Sequence, residues 1–262
     1  MGIAMEYQTL KINYQSAVQR IQFYRPEANN SINYQLTQEL LSAFQAAEQD
    51  EQIKVVVLEG LPDVFCTGLD FQGVSAGNME EIDPKVGAND YYNILKQMSQ
   101  SNKVIVSLVR GKVQAGGVGF VAASDLVLAD ETATFVLSEL LFGLLPACVL
   151  PFLIRRVGFQ KAYRLALTTQ SISVTDAYNW GLVDEYSTDI TKVLRQHIRR
   201  LQCLPSSGVK QLKDYVNQLW IIQQETQDLA VNTISKLLAD PHIQAKVRLY
   251  VEEGVFPWQT KR

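Results

Sequence analysis

The stretch VIVSLVRGKVQAGGVGF, residues 104–120, couples a short apolar run to a glycine-rich turn. An apolar run of this length, with no polar alternation, predicts a strand covered on both faces. Gly111, Gly116, Gly117 and Gly119 come directly after it. Glycines at a strand end let backbone approach a ligand and let helix N-terminal amides point into a cleft. IKVVVL at 53–58 is a second such run, and LVLA at 126–129, leading into Thr134–Leu137, is a third. Helix-like sequence at Tyr91–Ser99 separates the first two along the chain. Strands separated by helices indicate an α/β layered fold with a largely parallel sheet.

Upstream, Tyr7–Ile12 and Ala17–Phe23 alternate as two further strands. RPEANNSIN is a turn-rich loop, and its Asn33 is placed to cap a helix that buries Leu36, Leu40, Phe44 and Ala47 on one face. Gly73–Asp90 is polar and glycine-containing, and reads as a loop. Beyond Gly158 the pattern is almost wholly helical. Ser173 and Asp176 have capping-box spacing ahead of a short helix ended by Gly181. After Leu204-Pro205-Ser-Ser-Gly208 an apolar stripe runs through Leu212, Val216, Leu219, Leu229, Ile234, Leu237 and Leu238, expected to pack on the core or on another subunit.

The chain has 262 residues, 47% of them hydrophobic, and a net charge of −3. These values fit an ordinary globular protein and give no global reason to expect nucleic acid or an anionic membrane as partner. No window is apolar for long enough to span a bilayer, and the N-terminus turns polar too soon for a signal-peptide core. Cys66, Cys148 and Cys203 lack metal-ligand spacing, so reduced thiols in a cytoplasmic protein are the expectation. His197 and His242 read as surface or helix-end residues.

Three pieces carry candidate chemistry: Val64-Phe-Cys-Thr-Gly68-Leu69-Asp70, Gly111 to Gly119, and Ser138-Glu139-Leu-Leu-Phe-Gly143. Each follows a predicted strand, where open α/β sheets gather ligands. Two converging amides are what a developing enolate oxygen requires, one such donor being worth about 3 kcal/mol. Gly116-Gly117 also fits a tight strand-to-helix turn, and Asp70 fits a helix cap. Glu139 lies in apolar sequence, either as a structural carboxylate or as one whose desolvation suits it to proton transfer.

Taken in order, the RPEANN loop, FCTGLDF, GKVQAGGVGF, SELLFGLLP and TDAYNWGLVDE resemble the crotonase (enoyl-CoA hydratase/isomerase) superfamily over essentially the whole chain. The resemblance implies a spiral of ββα repeats at 1–200 and a C-terminal helical trimerisation region at 201–262. It also implies a homotrimer or dimer of trimers, oxyanion-hole amides at Leu69 and Gly116, and a thioester on a phosphopantetheine arm, with no other cofactor and no metal. Of the family's usual two glutamates, one maps onto Glu139 and the other onto Gly119. RPEANNSIN, VVVLEGLPDVFC, LSELLFGLLPACVLPFLIRR and the terminal FPW resemble one branch, the dehydratases of β-branching cassettes in bacterial polyketide synthesis.

That branch implies dehydration of a 3-hydroxy-3-methylglutaryl group on an acyl carrier protein, with a decarboxylase of similar fold as functional partner. Glu139 is then the C2 base. It also returns its proton to the leaving hydroxyl, or Asp70, Tyr91 or Tyr92 supplies one. Lys85, Lys96 and Lys112 are candidates for the distal carboxylate. Arg155, Arg156, Lys161 and Arg164 could form a basic patch for the carrier protein, and Gly119 could leave room for the substrate's branched carbon. The alternatives are the decarboxylase itself, a CoA-dependent hydratase or isomerase, and an inactive thioester-binding protein.

Overall fold

The computed structural model describes residues 7–71, 83–219, 223–257 and 259. Valine-rich runs build its larger sheet, six strands in the order β1-β2-β3-β5-β7-β10. These are β1 (Leu10–Gln15), β2 (Val18–Phe23), β3 (Val55–Glu59), β5 (Val104–Val109), β7 (Leu126–Ala129) and β10 (Glu185–Tyr186). Only the opening hairpin β1–β2 is antiparallel; the other neighbours run parallel. Because side chains alternate along a strand, Val56, Leu58, Ile105, Val109 and Val127 join the main core while Val55, Val57, Val104, Val106 and Leu128 join a second one. Both faces are therefore covered, which explains the unbroken apolar runs.

A second sheet escaped the sequence reading. It has the order β4-β6-β8-β9, built from β4 (Val64–Cys66), β6 (Lys112–Gln114), β8 (Thr134–Val136) and β9 (Ile172–Ser173). Each of β3, β5 and β7 is followed after a few residues by β4, β6 and β8 respectively. One strand of each pair enters the large sheet and the other the small one, which is the ββα spiral. Of its strands only β8 was expected, within Thr134–Leu137; segments as short as β4, β6 and β9 carry too little periodicity to be seen in sequence.

The helices are α1 (Tyr34–Gln49), α2 (Pro84–Gln100), α3 (Gly116–Ala123), α4 (Leu150–Val157), α5 (Phe159–Thr168), α6 (Val174–Trp180), α7 (Ile190–Leu201), α8 (Ser206–Gln218), α9 (Gln224–Leu238) and α10 (Pro241–Glu253). Asn33 caps α1 through Leu36 N–H at 2.9 Å, and Ser173 and Asp176 close the expected capping box on α6. The loop expected over Gly73–Asp90 is corrected in part: Asp83 caps α2, and Pro84 occupies its first turn. The remainder of that stretch lies outside the described residues, as does Trp258 of the terminal FPW.

Only part of the tail's apolar stripe docks on its own chain. Ile234, Leu237 and Leu238 pack inward, but Leu212, Leu219 and Leu229 are exposed. The inward side of α8 is held instead by buried Lys213, whose ammonium meets Asp125 at 2.6 Å and the carbonyls of Lys103 and Met98 at 2.9 and 3.2 Å. Three donors find three acceptors, so the buried ammonium is satisfied. Among the described residues no helix is long and apolar enough to cross a membrane.

Candidate active site

The small sheet gathers the three pieces. β4, β6 and β8 are parallel neighbours, so their C-terminal ends lie side by side, and each leads into one piece. After β4 the chain turns through Gly68 at φ +82°, a conformation that costs a glycine little. The Gly68 amide is aimed at the Cys66 sulfur. The next residues bridge to the loop before α1, with Ile32 N–H donating to Gly68 O at 2.7 Å and Asp70 N–H to Ile32 O at 3.0 Å. These bonds turn the Leu69 amide the other way.

After β6, Ala115 takes φ 48° and ψ −120°. An alanine held there is strained by an amount on the order of 1–3 kcal/mol. The strain turns the chain sharply into α3, whose first amide is that of Gly116. A Cβ placed on Gly68 would lie 2.6 Å from Ala115 Cβ and 3.0 Å from the Gly116 nitrogen, so the two turns are in direct contact. Neither the Leu69 nor the Gly116 N–H meets an acceptor among the described residues. Two adjacent unused amides, one from a helix N-terminus, suit an oxyanion.

After β8, Glu139 opens a short 3-10 turn, Glu139–Phe142, ended by Gly143 in the left-handed region. Its carboxyl is buried and Oε2 has no hydrogen-bond partner. Burial raises its pKa to about 7, although the amides of Glu139 and Ser138 act in the opposite direction. An acid that titrates near neutrality can accept and return a proton at the same pH. Phe142 in this turn stacks edge-on against Phe71 at 5.3 Å and Tyr250 of α10 at 5.4 Å. That aromatic row ties the turn to the segment beyond Leu69 and to the C-terminal helix.

The remaining sequence candidates fall out unequally. Tyr91, on α2, reaches α3 and donates from its hydroxyl to Gly116 O at 2.5 Å. Burial, then Cys148, Cys66 and Glu139, push its phenol well above the ordinary tyrosine value, so it stays a neutral donor. Tyr92, the next residue, points into the core: it is fully buried with its ring 5.3 Å from Phe152. Asp70 is held by Arg25 at 2.9 Å. Lys96 bonds Gln224 and Gln227 of α9, and Lys112 is exposed on β6.

One expectation is overturned and a second is narrowed. The position of Gly119 is not roomy: a Cβ there would overlap the Tyr91 hydroxyl and lie 3.1 Å from Leu95 Cδ1. Of the basic patch, Arg155 and Arg156 turn inward, whereas Lys161 and Arg164 stay exposed. Arg156 bonds Leu182 O, Ser124 O and the Asp184 carboxylate, Arg155 reaches Ala122 O, and Arg164 lies over Trp180.

Arg25 and Asn30, within the RPEANN loop, are supporting residues that sequence reasoning does not single out. Arg25 donates to Ser31 O at 2.6 Å as well as to Asp70. Asn30, at φ 53°, accepts from Arg25 N–H and donates to Val64 O and Phe65 O. Together they hold the loop against β4 just ahead of Leu69. The arginine-proline and paired asparagines were the available signal, but their partners lie far off in sequence.

Residues 13–261 match the model of the enoyl-CoA hydratase/isomerase family. The chain is 43% identical over 253 residues to the bacillaene synthase dehydratase PksH of Bacillus subtilis, covering 97% of each. A crystal structure of a putative polyketide biosynthesis enoyl-CoA hydratase (pksH) from Bacillus subtilis superposes with TM-score 0.91, covering 96% of this chain and all of that one, at 43% identity. A putative enoyl-CoA hydratase/isomerase from Acinetobacter baumannii superposes at 0.82 with 26% identity, over 92% of this chain and 98% of that one.

Proposed function

Because the chain belongs to the enoyl-CoA hydratase/isomerase family, we propose that it is a hydro-lyase that dehydrates 3-hydroxy-3-methylglutaryl-acyl carrier protein to 3-methylglutaconyl-acyl carrier protein in polyketide β-branching. The observation that carries this reading is one buried carboxylate with a pKa of about 7 at the same end of the small sheet as two unused amides, with the second-glutamate position of the family closed by Tyr91. The similarity to a polyketide dehydratase supplies the substrate class.

In the proposed reaction the thioester carbonyl lies between the Leu69 and Gly116 amides. Glu139, as carboxylate, takes a proton from C2, and the amides hold the negative charge that forms on the thioester oxygen. The C3–O bond then breaks as the C2–C3 double bond forms. Glu139 returns its proton to the departing hydroxyl, which leaves as water, so the carboxylate is regenerated in each turnover. No separate acid is required.

The enzyme is proposed to act with an acyl carrier protein and a decarboxylase of the same cassette, and as a homotrimer or dimer of trimers. Exposed Leu212, Tyr215 and Leu219 on α8 give the assembly an apolar surface to cover. The test is the mass of the acyl-pantetheine arm after mixing with loaded carrier protein. Loss of water supports the dehydratase; loss of carbon dioxide or an unchanged mass overturns it.

A further inference from the structure

Three glycines in the first turn of α3 are unfavourable for a helix, yet each faces a close neighbour. A Cβ on Gly117 would come within 2.5 Å of Cys66 O, and one on Gly116 within 2.9 Å of Ile32 Cδ1 and 3.4 Å of the Tyr91 hydroxyl. At Gly119 it would overlap that hydroxyl. Gly117 thus packs on β4, while Gly116 and Gly119 form a notch that receives the end of the Tyr91 side chain. Inside it the hydroxyl bonds Gly116 O, and the ring meets Phe120 edge-on at 5.5 Å. The same Gly116 follows strained Ala115, and nothing caps the turn from a side chain of Ala115 itself. A strained turn persists only where its surroundings hold it.

We propose that Tyr91 is a positioning residue that locks the Ala115–Gly116 turn, so that the Gly116 amide is aimed at the thioester oxygen. It acts through Gly116 and not on the substrate. This rests on the assignment of the Leu69 and Gly116 amides made above, and not on the identity of the acyl group. A small misalignment of a positioned group can cost on the order of a hundredfold in rate. Tyr91→Phe keeps the ring and removes the bond; Gly119→Ala keeps the tyrosine and pushes its hydroxyl out of the notch.

The experiment uses the para-dimethylaminocinnamoyl thioester of pantetheine, whose absorption moves to the red when its carbonyl is polarised. Full-length protein and both variants are compared for Kd, red shift per bound molecule, and kcat on the carrier-bound substrate, with circular dichroism as the fold control. Tyr91→Phe is expected to bind within about threefold of wild type, to lose most of the red shift, and to lose roughly tenfold to a hundredfold in kcat. Gly119→Ala should behave in the same direction even if Tyr91→Phe folds poorly. A wild-type red shift in either folded variant overturns the proposal, as does the absence of any red shift in the wild type. If the chromophore behaves as expected but the carrier-bound substrate loses no water, the proposed substrate fails and this role for Tyr91 stands.

Discussion

The guanidinium of Arg25 and the carboxylate of Asp70 meet at 2.9 Å, each side chain only 12% exposed, and so tie the loop before α1 to the residue after Leu69. Arg25 also bonds Ser31 O. Its replacement removes the bonds to Asp70 and to Ser31 O, at a cost of about 1–3 kcal/mol. Arg25→Met is expected to lower the urea midpoint accordingly and to reduce kcat more than it raises KM, since the Leu69 turn loses its support. Unfolding curves and steady-state rates check both. Unchanged stability would mean that the loop is held without Arg25.

Glu139→Gln should reduce dehydration by about 10²–10⁴, as expected for loss of a general base. In the wild type, activity should rise with pH through about 7, where Glu139 ionises, and then level off. The stability effect has a definite sign. The folded pKa lies above the unfolded one, so the folded state holds the proton more tightly and stability falls as pH rises from about 4.5 to about 7. Glu139→Gln should therefore be more stable than wild type at pH 8, by at most about 3 kcal/mol, with the gap closing near pH 4. Thermal melts at the two pH values show it.

Gly119→Glu should not create a working hydratase. The Cβ alone overlaps the Tyr91 hydroxyl, and overpacking typically costs about 1–3 kcal/mol. The variant is expected to melt lower and to be slow on branched and linear thioesters alike. Combining it with Tyr91→Ala should recover stability beyond the sum of the single effects. A stable single variant with faster dehydration would contradict the crowding at this position.

Lys213→Met should free α8. Its ammonium is the internal anchor for the Asp125 carboxylate and two carbonyls, and breaking such a buried pair from one side costs about 3–5 kcal/mol. Hydrogen exchange should accelerate across Ser206–Gln218 more than in the sheets. Uniform exchange across the molecule would mean that the helix is held by its other contacts.

The elements that sequence displayed are those whose own residues carry the pattern. β5 and β7 begin at the expected residues and β3 within two of them, because burial on both faces forces continuous apolar side chains. The Asn33 cap and the Ser173–Asp176 box were legible because a cap bonds residues two or three positions away. The α/β class and the order of the three glycine-bearing pieces followed from the chain alone. The membership of the family was legible from the ordered motifs.

Tertiary structure decided what depends on partners distant along the chain. β4 and β6 exist because they pair with one another and with β8, not because three residues have a strand signature. Tyr91 and Tyr92 are adjacent and chemically identical, yet one enters the notch of α3 and the other the core, since neighbouring side chains on a helix diverge by about 100°. Gly119 read as space, but a residue 28 positions earlier fills it. Arginines at 155 and 156 read as a surface charge, but carbonyls and a carboxylate from other elements turn them inward. A hydrogen bond or a van der Waals overlap is decided in ångströms through space, and periodicity along the chain records only what a residue's own element demands.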